Sequence, residues 1–179
     1  IGVSNFTGWQ MVDALWSCSV NNVAPYICTQ SQYNLLHRWE IEKDLMPVCR
    51  KYGLGMMTFS PVAIGLLTGR FRRGKPVPQG TPWEKGRLDF DGAMTEQTDS
   101  LIQKLIEIGE GYGKSPAQVA IAWVLDHPEI SSAMIGPDLP EHVDENFGSL
   151  EITLTGDERE ELDRISKPLA PWSYVGGPL

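Results

Sequence analysis

Positive charge is scarce in this sequence: 15 Lys and Arg stand against 23 Asp and Glu in 179 residues, a formal net charge of −8. A chain this acidic offers no electrostatic footprint for a phosphate backbone, so nucleic acid is not expected as a partner. Long apolar runs are also missing. None approaches the roughly 20 residues that a membrane helix needs, and no signal peptide is visible, so no membrane association is expected. Cysteine is limited to Cys18, Cys28 and Cys49, an odd set without CxxC spacing. That argues against a disulfide frame or a zinc site and predicts reduced thiols in a cytoplasmic protein. His37, His127 and His142 lack metal-ligand spacing. The patterns GxSxG, HExxH and GxxxxGK(S/T) do not occur, which removes the commonest signatures of nucleophilic hydrolases, zinc proteases and P-loop enzymes.

What is present is an alternation of strand and helix, with 41% apolar residues, enough for one domain with a real core. Residues 1–4 read as a buried strand, followed by a helix from about Gly8 whose Trp9, Val12, Leu15 and Trp16 recur at helical spacing. "YICTQSQYN" suits a second strand ending near Gln30. A helix with Leu45, Val48, Cys49 and Tyr52 on one face should start near Asp44, because Pro47 is tolerated only in a first turn, and should end at Gly53. "LGMMTFSP" is a third strand stopped by Pro61. Residues 63–96 show no sustained period, as expected of a functional loop or lid. Ile102, Leu105, Ile106 and Ile108 mark a further helix, and "SPAQVAIAWVLDHP" another, with Ser115 as N-cap, Pro116 at N1 and Gln118 closing a capping box. "ISSAMIG" is the fourth strand. Asp138 with Glu141, and Thr155 with Glu158, are candidate starts of two last helices. Four βα units imply parallel strands with right-handed crossovers, either an open sheet or half of an eight-stranded barrel.

Ligands of such folds sit beyond the carboxyl ends of the strands. Those ends carry Ser4 and Asn5, then Gln30, then Phe59, Ser60 and Pro61, then Gly136 and Pro137. They offer amides, hydroxyls and a flat ring, but no titrating acid or strong nucleophile. On residue chemistry alone this is a binding constellation without a reaction centre, and ordinary strand-end turns account for the same residue types.

"IGVSNF", "TQSQYNLLHR", "FSPVAIGLLTGRF" and "IGPDLPEHVDENFGSL", in this order, resemble the C-terminal half of an aldo-keto reductase. The resemblance covers about residues 1–167 and leaves residues 168–179 as a tail rich in Pro and Gly. It implies the α/β class, half of a TIM-type (β/α) barrel with four parallel strands each followed by helix, in a family that reduces carbonyls with a nicotinamide cofactor, usually NADPH. By resemblance, Ser4, Asn5 and Gln30 would bond the nicotinamide carboxamide, and Phe59 would stack on its ring. Ser60, Leu66, Thr68 and Arg70 would lie along the pyrophosphate, and Glu145 and Asn146 would contact the adenine. His142 stands where the family often has Gln.

Two departures bear on function. Asp138 stands where a basic or hydroxyl residue often meets the adenosine 2′-phosphate. A carboxylate there would repel that phosphate and accept a bond from a free 2′-hydroxyl, so NAD(H) is admitted beside NADP(H); Asp138 reads equally well as a helix N-cap. The second departure is the family's catalytic Asp, Tyr, Lys and His, which lie on its first four strands, before the point where this sequence aligns. None of Tyr26, Tyr33, Tyr52, Tyr112 and Tyr174 matches the family's Tyr. The expected function is therefore a cofactor-binding half without catalytic residues of its own, active only with its missing half. The alternative is a non-catalytic half-barrel that is structural or only binds nucleotide. Unpaired sheet edges predict a homodimer or a complementing N-terminal half. The acidic turn "DFDG" reads as a solvated loop, and Trp172 and Tyr174 as aromatics packed on a helix.

Overall fold

A computed structural model describes residues 1–86 and 88–167. The tail expected over 168–179, with Trp172 and Tyr174, lies outside the described residues.

Four short strands, β1 (Gly2–Ser4), β2 (Cys28–Gln32), β3 (Gly55–Phe59) and β4 (Ile130–Met134), form one parallel sheet in chain order. Helix α1 (Gly8–Val20) connects β1 to β2, and α2 (Met46–Tyr52) connects β2 to β3. Between β3 and β4 run a short α3 (Phe90–Ala93), α4 (Glu96–Tyr112) and α5 (Pro116–Leu125); α6 (Pro140–Phe147) and α7 (Gly156–Ile165) follow β4. This is an α/β arrangement of the kind found in part of a (β/α) barrel. Alternation along β2 and β3 sends Thr29, Ser31, Met56 and Thr58 into the helix layer, fully or almost fully buried. Cys28, Gln30, Gln32, Met57 and Phe59 point to the opposite, half-open face. The core sits between sheet and helices around Tyr33, Leu35, Leu45, Leu101, Leu105 and Trp123.

The capping boxes expected at Ser115 and Thr155 are present, and Thr7 with Gln10 makes a third, at the start of α1. Four local expectations differ. Residues 1–4 are not a buried strand: Ile1 is 70% exposed, Gly2 and Ser4 are exposed, and only Val3 is half-buried. On α1 the buried residues are Gly8, Met11 and Cys18, whereas Trp9 and Trp16 are 68% and 65% exposed. Gly8 sets that rotation: its N–H donates to the Asp44 carboxylate at 2.6 Å, a close approach that a Cβ would block. The helix before β3 begins earlier than Asp44, as a π-helical turn over Ile41–Leu45 leading into α2. Pro47 has no N–H for an i−4 bond, and the turn ahead of it widens so that the Met46 N–H reaches the Ile41 carbonyl. Finally, Asp138 is not a helix cap. Leu139 holds that position without a side-chain bond, and Pro140 at N1 starts α6 with a preset φ and no N–H to satisfy.

Residues 63–86 and 88–96 form a packed unit rather than a bare loop. Leu66, Leu67, Phe71, Trp83 and Met94 are buried, and the Phe71, Trp83 and Phe90 rings meet at centroid distances of 6.0–6.5 Å.

Candidate functional site

Register decides which strand-end residues meet. Ser4 pairs with Gln30 across β1 and β2, Gln32 with Phe59 across β2 and β3, and Phe59 with Met134 across β3 and β4. Because side chains alternate, Ser4, Gln30, Phe59 and Met134 share the open face. The Gln30 amide crosses β3 on that face, its Nε2 donating to the Met134 sulfur at 3.5 Å. A thioether is a weak acceptor, so the amide keeps most of its bonding capacity. The Asn5 N–H donates to the Gln30 carbonyl at 2.9 Å, which ties the end of β1 to β2.

Backbone strain collects at the same place. Among the described residues, five non-glycine residues have left-handed φ, and four of them follow β1 or β3: Asn5 at 58°, Ser60 at 55°, Ala63 at 51° and Ile64 at 54°. Each costs on the order of 1–3 kcal/mol and persists only where its surroundings fix it. Plain turns would use glycine here. Two side chains absent from the sequence-based expectations contact this corner: Asn34 Nδ2 donates to the Ser60 carbonyl at 2.9 Å, and Trp83 Nε1 to the Ile64 carbonyl at 2.8 Å. An Asn opening a turn after a strand was a usable signal for the first; nothing local signals the second.

The remaining candidates lie on two supports that both pack on α5. Leu66 and Thr68 belong to a 3-10 turn over Leu66–Thr68. The Leu66 side chain is buried in the core, leaving only its backbone for a ligand, and Thr68 donates its hydroxyl to the Gly65 carbonyl at 2.7 Å. Arg70 is exposed, and its guanidinium has no partner among the described residues. The following residues anchor this loop to α4: Arg72 grips Asp99 through two bonds of 2.7 and 3.1 Å, and the Arg73 N–H adds a third. The Arg72 fork holds the Asp99 carboxyl down at about 2. On the other support, α6 carries His142, Glu145 and Asn146, and the buried Gln118 amide of α5 donates to the Glu145 carbonyl at 2.6 Å. Asp138 is exposed in the segment before α6.

Tyr33 follows β2 but faces the helix layer. Its hydroxyl donates to Glu42 at 2.6 Å and lies 2.8 Å from His127 Nε2, and burial with the Glu42 carboxylate raises its pKa far above the ordinary phenol value. It is a structural hydroxyl rather than an acid for the open face. A groove of about 560 Å³ lined by Arg38, Trp39, Thr95, Gln97 and Ile165 includes none of the strand-end residues. Among the described residues, no group of three or more His, Cys, Asp or Glu could hold a metal ion, and no helix is long and apolar enough to cross a membrane.

The family model described as "Aldo/keto reductase family" matches residues 1–167. Two similar proteins carry provisional names as voltage-gated potassium channel subunit beta. One, from Schizosaccharomyces pombe, is 31% identical over 172 residues, covering 92% of this chain and 49% of that protein. The other, from Oryza sativa subsp. japonica, is 31% identical over 180 residues, covering 97% of this chain and 54% of that protein. The chain spans about half the length of these relatives.

Proposed function

The chain belongs to the aldo-keto reductase family, and from that premise we propose that its open sheet face is the nicotinamide-binding part of a carbonyl-reducing barrel. The observation that carries the reading is the register that sets Ser4 beside Gln30 and turns Phe59 to the same face. A hydroxyl and an amide beside an aromatic ring are the groups that a carboxamide on a flat ring requires. Their spare capacity supports the fit: the Ser4 hydroxyl and Asn5 amide have no partner among the described residues, and Gln30 has only the Met134 sulfur. The bound cofactor would supply hydride transfer. The chain's own residues bind and orient it: Ser4, Asn5 and Gln30 at the carboxamide, Phe59 against the ring. Ser60, the Leu66 backbone, Thr68 and Arg70 would run along the pyrophosphate, where an arginine fork can bond two oxygens. His142, Glu145 and Asn146 would meet the adenine.

NADP(H) is the proposed cofactor, with NAD(H) admitted at Asp138. That carboxylate caps no helix and has no partner among the described residues, so it is available to repel a 2′-phosphate or accept from a 2′-hydroxyl. No described residue is assigned as the proton donor. Carbonyl reduction would therefore belong to a barrel completed by further strands, from an N-terminal half or from a second copy in a homodimer. Exposed Trp9, Trp16 and Val20 on α1, and Phe147 and Leu150 after β4, are the apolar surfaces such completion would cover. Three free thiols, Cys18, Cys28 and Cys49, suit a cytoplasmic setting.

Calorimetric titration of the chain with NADPH and NADH tests the reading. Saturable binding supports the half-site, and clearly tighter NADPH would remove the role given to Asp138. No binding at millimolar cofactor would leave the second reading, a half-barrel that keeps only its fold. Sedimentation at micromolar concentration tests the homodimer, and a sharp monomer would remove it.

A further inference from the structure

The corner after β3 contains three of the five left-handed non-glycine residues among those described, Ser60, Ala63 and Ile64, with Gly65 following at 86°. In that conformation Cβ crowds the next carbonyl oxygen, so the corner relaxes unless something outside it holds it. Two buried side chains do so from different parts of the chain. Asn34, fully buried, donates Nδ2 to the Ser60 carbonyl, while its Oδ1 accepts the N–H groups of Leu36 and His37, each at 2.9 Å. Its backbone also exchanges two hydrogen bonds with His37, which makes the loop after β2 a firm mount. Trp83 donates its indole N–H to the Ile64 carbonyl and is itself wedged against Phe71 and Phe90. One clamp therefore sits at each end of the strained run.

We infer that Asn34 and Trp83 are positioning residues of the cofactor site, locking the corner from Ser60 to Ile64 so that the Phe59 ring and Ser60 backbone are set before a ligand arrives. Its consequence for binding rests on the cofactor reading above; the lock is a property of the ligand-free chain. Neither residue touches the open face. Each acts through carbonyls next to residues that do, and a site fixed in advance loses less freedom on binding.

The test is amide hydrogen exchange on the ligand-free 179-residue chain, followed by NADPH titration. Ala63, Gly65 and Leu66 report on the corner, because their N–H groups bond to the carbonyls of Ser60, Val62 and Ala63. Asn34→Ala should speed exchange at these amides about tenfold, the equivalent of one lost hydrogen bond, while Val119 and its neighbours in α5 are unmoved. NADPH affinity should fall by about the same factor. Ser60→Gly takes the left-handed angle without penalty, so in that background Asn34→Ala should cost less than about threefold. A general loss of stability would show no such rescue.

Unchanged exchange at 63–66, or an equal effect with Ser60→Gly present, overturns the inference. If Asn34→Ala does not fold, Trp83→Phe decides; it removes the indole donor and part of the ring but keeps an aromatic ring against Phe71 and Phe90. Faster exchange at Gly65 and Leu66 that Ser60→Gly reduces supports the lock, and unchanged exchange, or an equal effect with Ser60→Gly present, overturns it. Faster exchange in a chain that binds no NADPH keeps the lock and rejects the cofactor reading. Binding with unmoved exchange rejects the lock alone.

Discussion

The Tyr33 hydroxyl lies 2.8 Å from His127 Nε2, deep in the helix layer. His127 Nδ1 is 3.0 Å from the Trp123 carbonyl oxygen, which can only accept, so Nδ1 carries a ring proton. Burial, then the Arg159 charge, holds this imidazole below its ordinary 6.5, with Glu42 opposing them. The unfolded chain takes up a proton near 6.5 that the folded chain refuses. Stability from this source is therefore complete above that pH and is lost as pH falls through it. The urea midpoint should be lower at about pH 5.5 than at about pH 7.5, and the drop should shrink in His127→Gln. Equal drops in both proteins would assign the effect to other groups.

Arg38 links the loop after β2 to α7. Its guanidinium bonds Glu42 at 2.7 and 3.0 Å, Asp163 at 2.7 Å and Ser166 at 2.8 Å, and lies 4.7 Å over the Trp123 ring. A lysine has one point charge and cannot serve both carboxylates in that geometry. Arg38→Met leaves Glu42 only the neutral Tyr33 hydroxyl, and Asp163 only the Trp123 indole and the more distant Arg159, and should cost about 3 kcal/mol, with Arg38→Lys intermediate. Equilibrium urea unfolding measures both, and a lysine variant as stable as the parent would show that charge alone suffices.

The strands, their parallel order and two capping boxes were legible because each depends on a few neighbouring residues. Ser115 with Gln118 and Thr155 with Glu158 carry their own hydrogen-bond partners three positions away. The outward turn of Trp9 and Trp16 was not legible, since spacing cannot say which of two apolar faces is covered; the Asp44 contact to Gly8 decides that from 36 residues away. Asp138 misled for a related reason. Its cap pattern is genuine chemistry, but Pro140 two residues later starts the helix by a stronger constraint. The strand-end candidates were readable as residue types, whereas Asn34 and Trp83 act on carbonyls 26 and 19 positions distant and left no periodic trace.

The hydroxyls of Thr29, Ser31 and Thr58, between sheet and helices, are buried without a hydrogen-bond partner among the described residues. Ser31 and Thr58 are paired across β2 and β3, so the polar spot is shared by two central strands. Replacing an orphaned hydroxyl with a methyl removes a desolvation cost and keeps the shape. Thr58→Val should therefore stabilise the chain, by about 1 kcal/mol. Thermal and urea unfolding read this directly, and a loss of stability would mean that the hydroxyl is satisfied in solution.

Gly148 closes α6 where it meets the Gln118 amide on α5. A Cβ at Gly148 would clash with Gln118 Nε2, the group that donates to the Glu145 carbonyl. Gln118 has little room to move, being 7% exposed and bound through Oε1 to the Ser115 N–H at 2.8 Å. Gly148→Ala should thus break the Glu145 bond or the capping box, costing about 1–3 kcal/mol and loosening the helix that carries Glu145 and Asn146. Gln118→Ala loses the same bonds by a different route but makes room for the new methyl. If the clash is the cause, the double variant is no less stable than Gln118→Ala alone; additive losses would place the effect of Gly148 in the backbone instead.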